Sequence, residues 1–179
     1  MINIFKKARY RYFLREKKHF TDNNSGKIFL NYSKINSILL IFKIVNDSDL
    51  ITFENLKNII SKDKKSVVLC CYSEQKKSIL EPQSDLIVIK KEKLNFWQKP
   101  SKEIISKISA LKFDAVFFLS QNVDIPLLYA LLYSNAKIKC GAQMPSGLLD
   151  FMIDATNSSD ACEKFILDNI LFYLKKINQ

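Results

Sequence analysis

The sequence predicts a single Rossmann-like three-layer α/β domain, a mostly parallel sheet of about six strands covered by helices on both faces and preceded by a basic N-terminal helix or arm. Three observations lead there. From Ile38 onward, short apolar runs such as Ile38 to Phe42 and Ala115 to Leu119 alternate with segments of helical apolar spacing. The 179 residues, 47% of them hydrophobic, supply one good core and leave no room for a second full domain. The charge is concentrated ahead of the alternation: residues 1–20 hold Lys6, Lys7, Arg9, Arg11, Arg15, Lys17 and Lys18 against one acid, Glu16, in a chain of net charge +10.

Each element follows from local pattern. After the leader at 1–20, the turn-forming Thr21-Asp22-Asn23-Asn24-Ser25-Gly26 opens a linker at 21–36, and the α/β domain occupies 37–179. The leader's apolar residues are sparse, so the domain is expected to fold without it. Strands are predicted at Ser37 to Ile44, Ser66 to Cys71, Asp85 to Ile89, Asp114 to Leu119, Lys137 to Cys140 and Phe151 to Ala155. Lys137-Ile138-Lys139-Cys140 alternates polar with apolar, which places it near a sheet edge with its lysines discouraging further pairing.

Helices fill the gaps. Phe53, Leu56, Ile59 and Ile60 follow an expected N-cap at Thr52, and Ile104, Ile105, Ile108 and Leu111 follow Pro100-Ser101. A third helix runs from Ile125 to Ser134, with Asp124 as its cap and Pro126 in its first turn. The last, Ala161 to Lys176, opens on Asp160-Ala161-Cys162-Glu163, which has capping-box spacing, and ends on Lys175 and Lys176. The charged stretch from Ser73 to Ser84 is read as a loop.

Several chemistries find no footing in the sequence. The three glycines, Gly26, Gly141 and Gly147, stand apart and form no phosphate-binding fingerprint. The single histidine, His19, lies in the leader, so neither a His-based triad nor a two-His metal site can be assembled. No metal or cofactor is expected. Cys70 and Cys71 point to opposite faces if they share a strand, and they read as buried apolar residues. The leader lacks an apolar h-region and a cleavage site, so a cytoplasmic location is expected; no apolar run approaches the length of a membrane span.

The order and spacing of Leu94-Asn95-Phe96-Trp97-Gln98-Lys99-Pro100, Phe113 to Ser120, Ile125-Pro126-Leu127-Leu128-Tyr129, Ala136 to Gly141 and Asp150 to Asp154 resemble a family of small basic α/β proteins of Bacteroidetes-type bacteria, known as a domain of unknown function. The resemblance covers Leu30 to the end and implies a domain extent but no activity. More weakly, Phe113 to Gly141 is similar to the N-terminal Rossmann-like half of heptosyltransferase-like glycosyltransferases. Those enzymes close a cleft between two such domains and hold the sugar nucleotide largely on the second.

Three groups of residues are candidates for function. In the leader, Lys6, Lys7, Arg9, Arg11, Arg15, Lys17 and Lys18 are interleaved with Tyr10, Tyr12 and Phe13, a mixture suited to neutralising phosphates while stacking on bases. The competing reading is an amphipathic helix that docks Phe5, Tyr12 and Phe13 on the domain. A second basic cluster, Lys90, Lys91, Lys93, Trp97 and Lys99, follows the third strand, where Phe96 and Trp97 read as core plugs beneath a solvated lysine loop. At the strand ends, Asp47, Ser120, Asn122, Asp124 and Asp154, with Asn46, Ser48, Ser73, Glu74, Gln121, Ser146, Gly147, Thr156 and Asn157, would line any cleft, although such residues also cap helices and stop strands.

These features describe a non-catalytic binding protein whose leader engages RNA, with ribosomal RNA as the expected target. No glycosyltransferase or hydrolase turnover is expected of the chain alone. The alternatives are a degenerate nucleotide or sugar-nucleotide binding domain and a membrane-surface adaptor.

Overall fold

The six apolar runs pair in parallel throughout, in the order β3-β2-β1-β4-β5-β6. The computed structural model describes residues 4–21, 30–75, 83–122, 124–154 and 163–177. In it the strands are β1 (Ser37–Ile44), β2 (Ser66–Ser73), β3 (Leu86–Lys90), β4 (Lys112–Phe118), β5 (Asn135–Ala142) and β6 (Phe151–Ile153), each overlapping its predicted run. The helices are α1 (Ile4–Thr21), α2 (Asp47–Ser61), α3 (Lys102–Ala110), α4 (Ile125–Tyr133) and α5 (Glu163–Lys176).

Strand alternation sorts side chains into two cores. Ile38, Leu40 and Phe42 of β1 meet α2 and α5, whereas Leu39 and Ile41 face the layer of α1, α3 and α4. Cys70 and Cys71 divide between the same two faces, as strand periodicity requires. Burial raises the Cys70 thiol far above its ordinary range and pushes the Cys71 and Cys140 thiols up to about 12, so all three remain protonated packing groups.

At the N-terminal end of the sheet, Asp114 ties three strands together. One carboxylate oxygen accepts from the backbone N–H groups of Asn36 (2.8 Å) and Ser37 (3.2 Å), and the other accepts from Lys137 Nζ (2.7 Å). At Gly141 the neighbouring strand leaves no room for a side chain: a Cβ there would stand 2.6 Å from the Phe118 carbonyl oxygen.

Several expectations are corrected. Helix α2 begins before Thr52, because Asn46 accepts from Asp49 N–H (3.2 Å) while Asp49 accepts from the N–H groups of Val45 (2.7 Å) and Asn46 (3.0 Å). This reciprocal cap outcompetes Thr52, whose hydroxyl donates to Ser48 O inside the helix. Asp124 precedes α4 without a side-chain capping bond, since its carboxylate pairs with Lys43 instead (3.2 Å). Lys139 does not guard a free edge. It is buried and donates to the Leu131 carbonyl (2.6 Å), neutralising the negative end of α4, and burial pulls its ammonium down to about 8 against the opposing pull of Asp150. The proposed cap at Asp160 to Cys162, most of the turn-forming stretch after Thr21, and most of the Ser73 to Ser84 loop lie outside the described residues.

Candidate nucleic-acid interface

The leader is a helix docked on the domain, the competing reading of its amphipathic pattern. Eight of the nine residues of α4 are buried, and a helix apolar all round needs a cover on its outward side as well as a sheet beneath it. Helix α1 is that cover. Phe13 is fully buried and meets Tyr129 edge to face with ring centroids 5.1 Å apart, and Phe20 meets Tyr133 in the same way at 4.9 Å. The leader's only acid closes the contact: Glu16 accepts from Lys99 Nζ and the Tyr133 hydroxyl on one oxygen and from the Tyr129 hydroxyl (3.2 Å) on the other. Burial by itself would raise the Glu16 carboxyl, but the Lys99 ammonium and the two phenols outweigh it and hold the group below its usual range. Lys17 reaches the Ser146 carbonyl (2.6 Å) on the β5–β6 connection.

Docking divides the predicted RNA-binding residues. With one residue every 100°, Lys7, Arg11, Arg15 and Lys18 fall within an arc of about 80° on the outward side of α1, along about 17 Å of helix. All four are exposed, as is Lys6. Glu16, the sole acid, is turned inward, so the outward arc carries one sign of charge. Arg9 is half-buried and donates to the Phe96 carbonyl (2.9 Å). The aromatic residues differ in what they leave open: Phe13 is core, Tyr10 is half-buried and stacks beside it, and Tyr12 lies flat on Trp97 at 4.6 Å while remaining 37% exposed.

The second basic cluster adjoins the first. The Tyr12–Trp97 stack, the Arg9–Phe96 bond and the Lys99–Glu16 ion pair clamp the turn at residues 94–100 against α1. Lys91 and Lys93, on the 3-10 turn just before it, are exposed, Lys90 is half-buried at the end of β3, and Lys99 is consumed by Glu16. Phe96 is not a core plug, being 61% exposed. Trp97 is half-buried against α1 rather than in the sheet core.

The strand ends form a separate cleft of about 300 Å³, at the switch point where the chain leaves β1 and β4 in opposite directions. Of the strand-end residues, Asn46, Ser120, Gln121 and Asn122 line it, together with Lys43, Asp49 and Glu163. Lys43 binds Glu74 (3.0 Å) and Asp124 (3.2 Å); burial would lower its ammonium, but the two carboxylates raise it overall. Asp47 is the first residue of α2. Asp154 lies just beyond β6, exposed and not part of the cleft lining. Thr156 and Asn157 lie outside the described residues. The sequence reading missed Lys43 because it sits inside an apolar strand, and Asp49 because Asn-x-x-Asp is a less familiar cap than Ser-x-x-Glu.

An open, all-parallel sheet in this order, with a cleft at its switch point, defines a Rossmann-like α/β domain. The chain belongs to the family of unknown function DUF6913, which it matches over residues 6–177, so the family's domain takes in nearly all of α1. No curated protein matches the sequence. Among solved structures, the fold is similar to that of Escherichia coli heptosyltransferase WaaC with ADP, with a TM-score of 0.52 and 15% identity over 80% of this chain and 49% of that one. It is also similar to a glycosyl transferase family 9 protein of Veillonella parvula, with a TM-score of 0.54 and 17% identity over 86% of this chain and 44% of that one. The chain thus spans about half the length of these solved chains.

Proposed function

We propose that this protein is a non-catalytic, cytoplasmic RNA-binding module whose docked helix α1 engages the phosphate backbone of structured RNA, ribosomal RNA being the expected target. One observation carries the reading: Lys7, Arg11, Arg15 and Lys18 stand exposed on a single arc of a helix whose only acid faces the domain. Because the helix is fixed to α4, these cations are held at set spacings without the entropy cost of ordering an arm. Each phosphate they contact releases counterions.

The test is a salt titration of binding to purified ribosomal RNA by the wild type and by a variant carrying Lys7→Glu, Arg11→Glu, Arg15→Glu and Lys18→Glu. Four phosphate contacts give a log-log slope of about −3 for the wild type, and the variant loses most of that slope. Equal binding by both proteins at every salt concentration would refute the reading, and wild-type binding to anionic vesicles in place of RNA would assign the helix to a membrane surface.

A second reading, a degenerate nucleotide or sugar-nucleotide binding domain, draws support from the glycosyltransferase-like fold and the strand-end cleft. Against it, the Val45 and Asn46 N–H groups leading into α2 are taken by the helix's own carboxylate, Asp49, and the Asp49 N–H by Asn46, where a phosphate would otherwise be received.

A further inference from the structure

The turn at residues 94–100 is braced far beyond what a surface connection needs. Asn95 Oδ1 accepts from the N–H groups of both Trp97 (2.9 Å) and Lys99 (3.0 Å), while the Asn95 backbone exchanges further bonds with Gln98 and Lys99. Gln98 is held at φ 61°, a left-handed conformation that residues other than glycine seldom adopt and that persists only where its surroundings enforce it. At the tip of this rigid turn stands Phe96, with 61% of its surface exposed. Trp97 meets its ring edge to face at 5.1 Å, the Arg9 guanidinium lies 5.5 Å from its centroid, and Arg9 Nε donates to its carbonyl. An exposed aromatic ring immobilised among cations is arranged for recognition, because its ordering cost is met before any partner arrives.

We infer that Phe96 is a stacking platform for an unpaired nucleobase, so that the RNA recognised by this surface contains a single-stranded or bulged nucleotide beside the backbone held by α1. The inference rests on the RNA-binding reading. It adds to the leader's aromatic residues, of which Phe13 is core, Tyr10 half-buried and Tyr12 stacked on Trp97, a ring with most of its surface exposed. The surrounding charge suits this occupant: Lys91 and Lys93 flank Glu92 on the turn just before Phe96 and leave that turn net positive, and Arg9 joins it to α1, so phosphates beside a stacked base meet a surplus of positive charge.

The experiment compares fluorescein-labelled oligouridine with a blunt RNA duplex of equal length, binding each to the wild-type full chain, Phe96→Ala, Phe96→Tyr and the four-charge reversal. Phe96→Ala is expected to weaken oligouridine binding by about 5- to 100-fold while leaving its salt slope and the duplex affinity unchanged. Phe96→Tyr is expected to keep wild-type affinity, since the π-face is retained. Unchanged oligouridine binding by Phe96→Ala, with both RNAs released by charge reversal, would overturn the stacking role and leave the RNA reading standing. Failure of the wild type to bind either RNA would bring down that reading, and this inference with it.

Discussion

Replacing Phe13 by alanine tests whether the leader belongs to the cooperative fold. The ring is fully buried and meets Tyr129 edge to face at 5.1 Å with the planes at 89°. Its transfer from water contributes about 1.5–3 kcal/mol. The aromatic pairing adds about 0.5–1.5 kcal/mol. The sum agrees with the loss of about 3–5 kcal/mol found when buried phenylalanines are truncated to alanine. For a domain of this size, a loss of about 3–4 kcal/mol corresponds to a fall in Tm of about 6–16 °C. Urea unfolding followed by far-UV circular dichroism measures the change, and the denaturant slope is expected to stay constant, because the same surface is exposed on unfolding. A loss below about 1 kcal/mol would mean that α1 rests on the domain without being part of its core.

Two further outcomes concern the sheet. The Asp114 carboxyl, held by Lys137 and by the Asn36 and Ser37 amides, lies at about 2 in the folded chain against an ordinary 3.8. The unfolded chain therefore takes up the proton first. The stabilisation is complete above about pH 4 and disappears as pH falls towards 2, so Asp114→Asn is expected to cost about 2 kcal/mol at neutral pH, with the gap closing across that acid window; a gap independent of pH would contradict the assignment. Gly141→Ala drives a methyl group to within 2.6 Å of the Phe118 carbonyl and is expected to destabilise by about 1–3 kcal/mol in the same unfolding assay, a neutral effect refuting the close approach.

The strands were legible in the sequence because a parallel strand buried on both faces is apolar at nearly every position, as Ile38 to Phe42 shows. Their order was not, because pairing between β1 and β4 is settled by the whole chain rather than by any local run. The leader's docking did leave a local signal: Ile125-Pro126-Leu127-Leu128-Tyr129-Ala130-Leu131-Leu132 has no polar face, so a sheet on one side could not satisfy it. Nothing comparable marked Phe96 as exposed, because an aromatic pair after a strand looks the same whether it plugs a core or tips a turn. At the strand ends, Lys43 was hidden by its apolar neighbours, and its partners Glu74 and Asp124 come from connections distant in the chain.

The clamp between Glu16 and Tyr133 joins residues 117 positions apart. During synthesis α1 is made before α4, the helix it must cover. At about 5–20 residues per second, roughly 6–23 s pass before the Tyr133 hydroxyl can be offered to Glu16. Throughout that interval Phe13 and Phe20 have no pocket, and the cations of the leader stand on a segment that has not found its seat. The nascent chain thus exposes both faces of α1 until α4 is complete, and completion of α4 is the event that withdraws the apolar face while leaving the charged one outside.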